Sequence, residues 1–380
     1  MSNKSQGKII RIGIDARFFG PRQKGLGRYV QKLVENLEKT DLTNSYVIFL
    51  RKKNWSEYQP TNPNFKKVLA DYPWYSLKEQ ILMPLKIRQT QVDLMHFPHF
   101  NVPIFYKKPF VITIHDLILK KFPTRRASTL DPMRYWFKNL AYQIVINSAV
   151  KRAKKIIAVS EFTKKDILKY FKTDSKKIKV IYEGTSGIGL SRPNPNKTKP
   201  YLLYVGNAYP HKNLKRLILA FKKVAGNKQG DLRLVLVGEI DYFYKRLKSF
   251  VQNSQSSISD SVVFADFISN QELADLYQNA SLYVFPSLCE GFGLPPLEAM
   301  ACQLPVVCSK TSCLPEVLGS GAVYFNPQSV DDMADKILQI LKDKELQDKL
   351  ILKGGQIVKK YQWTKTAQQT LNIYIQVSIN

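Results

Sequence analysis

Cysteine and histidine are scarce in this chain of 380 residues, with four of each. The four cysteines (Cys289, Cys302, Cys308, Cys313) crowd into one late stretch with no C-x-x-C spacing and no neighbouring histidine. That argues against a zinc site and a disulfide framework, and it predicts a reducing, cytoplasmic setting. No run of 18 apolar residues occurs, so no membrane-spanning helix is expected. The opening, MSNKSQGKIIRIGID, lacks an apolar stretch, so no signal peptide is expected either. No D-x-D carboxylate pair appears, and neither a catalytic metal nor another cofactor is expected. Negative charge is also short: 30 Asp and Glu stand against 58 Lys and Arg, a net of +28. Glycine (18) and proline (20) are ordinary in number, which excludes a collagen-like or disordered chain.

The excess of positive charge is uneven. Residues 1–200 hold 39 Lys and Arg against 14 Asp and Glu, a net of +25, whereas residues 201–380 hold 19 against 16, a net of +3. A basic half suits a polyanion: nucleic acid, an anionic membrane or phosphorylated substrates. The bland alternative is a solvated lysine-rich surface. No RRM, KH, helix-turn-helix or zinc-finger signature appears, so nucleic acid is not the expected partner.

Along the chain, strand and helix patterns alternate. KIIRIGID reads as a strand, FFGPRQKGLGRYV as a glycine loop, and RYVQKLVENLEK as a helix. YVIFL, VDLMHF, FVITI, KIIAVS and KIKVIYEG are further strands with helical pieces between them. This alternation predicts an α/β fold with a parallel sheet covered on both faces. Residues 184–200 are rich in Gly, Ser, Pro, Asn and Thr and read as a linker. The pattern then restarts with YLLYVGN. The expected layout is a first doubly wound domain over 1–183, the linker 184–200, a second such domain over 201–365, and a tail over 366–380 that packs back.

Four short stretches carry the chemistry. Glu290-Gly-Phe-Gly-Leu-Pro-Pro-Leu-Glu298 follows the apolar strand LYVF and opens a helix. Ligands of open α/β sheets bind beyond the carboxyl ends of strands. Glycines there let backbone N–H groups approach an anion, and a helix start favours a phosphate. The alternative for Glu298 is a first-turn acid stabilised by the helix dipole. Lys212, in the loop after YLLYV, suits a diphosphate, and His115, after FVITI, suits a ligand hydroxyl or a packed role beside Asp116. Gly25 and Gly27 form a lone G-x-G, a weak signal. The G-x-G-x-x-G fingerprint is incomplete because position 30 is Val, and no acid ends the second strand, which counts against a nicotinamide dinucleotide.

Taken in order, GIDARFFGPRQKGLGRYV, HFPHFNVP, VITIHDL, IIAVSEFTKKDI, YVGNAYPHKNL and FPSLCEGFGLPPLEAMACQLPVV resemble the family-4 retaining glycosyltransferases. The likeness is strongest to the mannosyl- and rhamnosyltransferase subgroup of polysaccharide assembly. It runs from about residue 9 to 375. It implies the GT-B fold, in which two Rossmann-like domains face each other across a cleft. The first would serve the acceptor, the second would bind a nucleotide-diphosphate sugar, and the last helix would return to the first domain. It further implies that Glu290 bonds the donor sugar and that Gly291, Phe292, Gly293 and Leu294 offer backbone contacts. Glu298 would bind the ribose, Lys212 would neutralise the diphosphate, and His115 would touch the sugar. Gly25 and Gly27 would approach the phosphates, and Phe267 and Ile268 would hold the base. Many members carry Arg where this chain has Asn207, which leaves more of the charge to Lys212.

The implied reaction is hexosyl transfer with retention, by same-face attack of the acceptor, to a glycan or lipid-linked acceptor. GDP-mannose is the donor that the subgroup suggests. A GT-B nucleotide-sugar epimerase and a basic nucleic-acid-binding protein are the alternatives. The basic runs, interleaved with aromatics such as Trp55, Trp74, Phe105, Trp136 and Phe137, predict peripheral attachment to the anionic inner face of the plasma membrane.

Overall fold

The computed structural model describes residues 9–122, 131–185, 200–226, 231–253, 259–266 and 268–379, without the side chains of Arg22, Lys24 and Pro132. These fall into two units: one holds the residues through 117, 131–184 and those from 363 on, and the other holds 118–122 and 185–362. Phe267 and residues 186–199 of the expected linker lie outside the described residues.

In the first unit the elements run β1 (Arg11–Asp15), α1 (Lys24–Thr40), β2 (Ser45–Leu50), β3 (Phe65–Leu69), α2 (Leu77–Gln89), β4 (Leu94–Phe97) and β5 (Phe110–Ile114). After the short α3 (Ile118–Lys121), which counts with the second unit, come α4 (Pro132–Arg152), β6 (Lys155–Ala158), α5 (Glu161–Tyr170) and β7 (Ile178–Val180). The seven strands form one parallel sheet, in the order β3-β2-β1-β4-β5-β6-β7. Alternate residues of β2 serve opposite faces. Val47 and Phe49 join a core with Met83 and Ile87 of α2 and Ile146 of α4, while Tyr46, Ile48 and Leu50 join Val30, Leu33 and Leu37 of α1. Side-chain caps set the helix starts: Ser76 for α2, Asp131 for α4 and Ser160 for α5.

The second unit runs β8 (Tyr201–Val205), α6 (Leu214–Gly226), β9 (Arg233–Val237), α7 (Tyr242–Asn253), β10 (Val262–Ala265), α8 (Asn270–Asn279) and β11 (Leu282–Phe285). It continues with α9 (Leu294–Ala301), β12 (Val306–Ser309), α10 (Leu314–Leu318), β13 (Ala322–Phe325), α11 (Val330–Lys342) and α12 (Lys344–Val358). Its six parallel strands are ordered β10-β9-β8-β11-β12-β13. The last helix, α13 (Trp363–Ile379), belongs to the first unit, where Ala367, Leu371 and Tyr374 share the α1 core. Strand order reverses between β1 and β4 in one sheet and between β8 and β11 in the other. A doubly wound sheet binds its ligands at that reversal.

Three local readings change. Gly25 and Gly27 lie in the first turn of α1 rather than in a loop before it. Gly27 is required by packing, because a Cβ there would sit 2.1 Å from the Gly20 carbonyl oxygen, while Gly25 faces open space. β3, sequence FKKVL, escaped notice because its two lysines break the apolar run, as suits an edge strand. α12 was hidden by Gly354 and Gly355. A Cβ at Gly354 would press on Met300 of α9, so that glycine lets two helices meet closely.

Candidate functional site

In the second unit the two strands beside the reversal, β8 and β11, deliver the two loops that the sequence singled out. The loop after β8 ends in a single 3₁₀ turn, Pro210–Lys212. The Lys212 ammonium donates to Glu290 Oε1 at 2.6 Å, and both side chains are mostly buried. This is the only hydrogen bond described for the ammonium, which also lies over the Phe285 ring. Neighbouring Asn213 adopts a left-handed conformation, φ 61°, and its amide donates to the carbonyls of Pro286 and Pro327. The Leu288 N–H donates to the His211 carbonyl at 2.7 Å. The two loops are therefore tied by backbone as well as by the ion pair. His211 is held neutral, its pKa lowered to about 4 by burial and then by the Lys212 charge.

Three buried tyrosines fix the start of the first loop. Tyr283, Tyr244 and Tyr204 donate to the successive carbonyls of Val205, Gly206 and Asn207, at 3.4, 2.8 and 2.8 Å. Each hydroxyl has a partner, as burial demands, and each partner is loop backbone. The motif reading missed this device, because the three come from β11, α7 and β8 and share no spacing. The Asn207 side chain accepts from the Tyr209 N–H, so it shapes its own turn.

The Glu290 loop is held from beneath. Its N–H donates to Ser312 Oγ, and the Cys313 thiol donates to the carbonyls of Glu290 and Phe292. The Phe292 ring packs inward against Tyr361. Gly293 has φ 96°, a conformation that favours glycine, and a Cβ there would meet Leu314 at 2.9 Å. Leu294 then opens α9. Of the first four residues of α9, Pro295 and Pro296 have no N–H, which leaves Leu294 and Leu297 as donors. The helix start is a poorer anion cradle than expected, so positive charge at this site rests mainly on Lys212. Glu298 lies in the second turn of α9, not the first, and is buried, with the Tyr277 hydroxyl donating to Oε2 at 3.3 Å. Ile268 follows β10, at the sheet edge, just before the Ser269 cap of α8.

In the first unit His115 follows β5. Its Nδ1 meets Glu183 Oε1 at 3.0 Å and its Nε2 meets the Pro98 carbonyl at 3.0 Å. Both partners are acceptors, so the arrangement suits an imidazolium carrying two protons. Burial alone would lower its pKa, but Glu183, the Pro98 carbonyl and Asp116 outweigh burial and raise it above the ordinary histidine value. Both ring nitrogens are thus occupied within the unit. Glu183, at the end of the stretch IYEG, drew no functional reading from the sequence. The Tyr29 ring stands edge-on to His115 at 4.6 Å. The Tyr29 hydroxyl leads through Thr113 to His96, and His96 meets the Tyr374 hydroxyl of α13. Burial, and then the His115 charge, lower the His96 pKa to about 3.

Among the described residues, no group of three or more His, Cys, Asp and Glu is placed to hold a metal ion. The four cysteines form no disulfide and are buried, and burial, then Glu298, pushes the Cys302 thiol up to about 12. No described helix is long and apolar enough to cross a membrane.

Known proteins resemble this chain in sequence and in fold. Residues 24–186 match the family described as Glycosyltransferase Family 4, and residues 190–356 match Glycosyl transferases group 1. O-antigen chain mannosyltransferase B of Escherichia coli is 29% identical over 299 residues, which span 76% of this chain and 75% of that protein. O-antigen chain mannosyltransferase RfbU of Salmonella typhimurium is 30% identical over 254 residues, 67% of this chain and 66% of that protein. The structure of sucrose-phosphate synthase from Thermosynechococcus elongatus covers 97% of this chain and 99% of its own, with a TM-score of 0.77 at 21% identity, a likeness of fold. With two doubly wound sheets and both halves matched, the chain belongs to the family-4 glycosyltransferases of GT-B fold, and it is a hexosyltransferase.

Proposed function

We propose that the chain transfers mannose, with retention, from GDP-mannose to a glycan or lipid-linked acceptor in the assembly of a cell-surface polysaccharide. The observation that carries the chemistry is the Lys212–Glu290 pair at 2.6 Å, beside the strand-order reversal. The mannosyl choice is supported by the two O-antigen mannosyltransferase relatives. A glycosyl donor presents two kinds of group at once: sugar hydroxyls, which donate to a carboxylate, and a diphosphate, which accepts from an ammonium. Glu290 and Lys212 are that complement. Before the donor arrives each offsets the other's charge, which spares the site an unpaired buried ion. As the anomeric bond breaks, negative charge grows on the leaving phosphate, and a cation already aimed there stabilises the transition state. The acceptor attacks from the face that the leaving group vacates, and its proton passes to the departing phosphate. Lys212 supplies the positive charge, so the proposed transfer needs no metal.

Gly291, Phe292, Gly293 and Leu294 would shape the donor pocket by backbone, Glu298 would hold the ribose, and Phe267 and Ile268 would flank the base. In the first unit, Gly25, on the open side of α1, would approach the phosphates. His115, pinned by Glu183, would present positive charge rather than a free ring nitrogen. The site of action would be cytoplasmic, at the inner face of an anionic membrane that carries the acceptor. No observation favours an epimerase.

A thermal-shift series tests the donor, since a ligand raises apparent stability by mass action. GDP-mannose is expected to raise Tm more than UDP-glucose or UDP-GlcNAc at equal concentration. The reverse order would overturn the choice of donor.

A further inference from the structure

Two helices of the first unit are apolar on both sides. α4 buries Tyr142, Val145, Ile146, Ala149 and Val150. On its opposite face Met133, Trp136, Phe137, Leu140 and Ile144 recur at helical spacing and are exposed, Trp136 at 66% and Phe137 at 63%. α2 repeats the arrangement: Met83 and Ile87 are buried, while Leu77, Ile81 and Leu85 are exposed, Leu77 at 82%. A helix that is apolar all round is normally covered all round. Among the described residues the second unit has no such run, and its exposed large apolar residues are scattered, which needs no explanation.

The two helices flank one face. The buried parts of both enter the same core. The loop between β4 and β5 joins them: Gln80 of α2 accepts from the Ile104 N–H at 2.7 Å, and Arg152 of α4 donates to the carbonyls of Pro103 and Tyr106. That loop adds exposed Phe105, Lys107 and Lys108. Lys78, Lys86, Arg88 and Lys138 add positive charge on the two helices. The carboxylates they carry are Glu79, buried against Arg17, and Asp131, which caps α4 and pairs with Arg134. The sequence had pointed elsewhere for part of this surface. Trp55 packs against the α1 core, and the helical piece that forms α2 was not counted with the basic, aromatic surface.

We propose that this face, the outer sides of α2 and α4 with the 103–108 loop between them, is the surface by which the protein lies on an anionic lipid membrane. The inference deepens the proposed function and rests on it only for the identity of the acceptor. Apolar and aromatic side chains rimmed by cations match the acyl boundary and the phosphates of an anionic leaflet. A second copy of the chain is a poorer occupant. A two-fold contact would set the same cations against each other, with hardly a carboxylate to meet them.

The test is flotation of the full chain with phosphatidylcholine vesicles, with and without phosphatidylglycerol. Binding is expected with the anionic vesicles at low salt, and loss of binding at high salt. Trp136→Ala with Phe137→Ala is expected to weaken partitioning at least tenfold, and Lys138→Ala about fivefold. These positions are exposed, so Tm should not move. Transfer to a water-soluble acceptor is expected to stay unchanged in the variants. Vesicle binding that the aromatic pair does not affect would overturn the inference. So would a stable dimer that Phe137→Glu splits. If the unsubstituted protein transfers no sugar to any acceptor while vesicle binding follows the pattern, the transferase reading fails and the membrane face stands.

Discussion

Two buried ionic groups, one in each unit, are built on opposite principles. In the first unit, Arg17 lies wholly buried after β1. It donates twice to Asp15 at 2.7 Å, to Glu79 at 2.6 Å and to the Tyr72 carbonyl at 3.2 Å. Glu79 in turn accepts from the Asn101 amide and the Tyr75 N–H. In the second unit, Lys212 makes one hydrogen bond, to Glu290, and its side chain keeps 14% of its surface in contact with solvent. A network that uses nearly all its donors on its own chain holds loops in place. A pair with donors to spare beside a strand-order reversal can exchange its partner for a ligand. Under the proposed function, the contrast divides a stabilising network from a reacting pair.

The sharpest break would come at Arg17. Arg17→Ala leaves Asp15 and Glu79 buried without a cation, a loss of about 3–5 kcal/mol. Urea denaturation should show it, and a variant as stable as the parent would show that the network is not structural. Lys212→Ala should do the opposite, cutting turnover about a hundredfold, near 3 kcal/mol, in a protein that still folds. Near-normal rates from the folded variant would remove Lys212 from the leaving-group role. Glu298→Gln should be milder. A ribose contact is the same in ground and transition states, so KM should rise severalfold while kcat holds. A collapse of kcat at unchanged KM would contradict this.

The smallest effect concerns His115. Its folded-state pKa is raised, so its contribution to stability is fully present below the unfolded value, near 6.5, and is lost as pH rises through the folded value. His96 works the other way: held neutral by burial, it costs stability as pH falls from about 6.5 toward 3. Glu183→Gln should leave the His96 trend intact and flatten the decline above about pH 6.5. Unfolding curves of parent and variant that run parallel across that range would mean that Glu183 does not hold the proton on His115.

Much of this was legible before any coordinates. Lys212 and Glu290, which the fold brings together, stood out because such a strand end leaves a local trace: a glycine turn, a carboxylate, a lysine before a helix. The strands of both sheets read clearly where all their residues are buried, as in FVITI and LYVF. β3 and α12 were lost where lysines and paired glycines overrode the periodicity. Gly27 was misread as loop because its purpose, contact with the Gly20 carbonyl, lies in another segment. The tyrosine clamp on residues 205–207 left no trace, since its members come from positions 204, 244 and 283.

What the sequence determined by itself was the identity of most elements and of the candidate site groups, since both are read from residues near one another in the chain. Tertiary structure decided the pairings. Lys212 meets Glu290 across 78 positions because the sheet sets β8 beside β11. The proton on His115 is favoured because Glu183 follows β7, two strands from β5. Periodicity says which side of a helix is apolar. Whether that side is covered depends on what the fold lays over it, and on α2 and α4 the described fold leaves the outer apolar side uncovered.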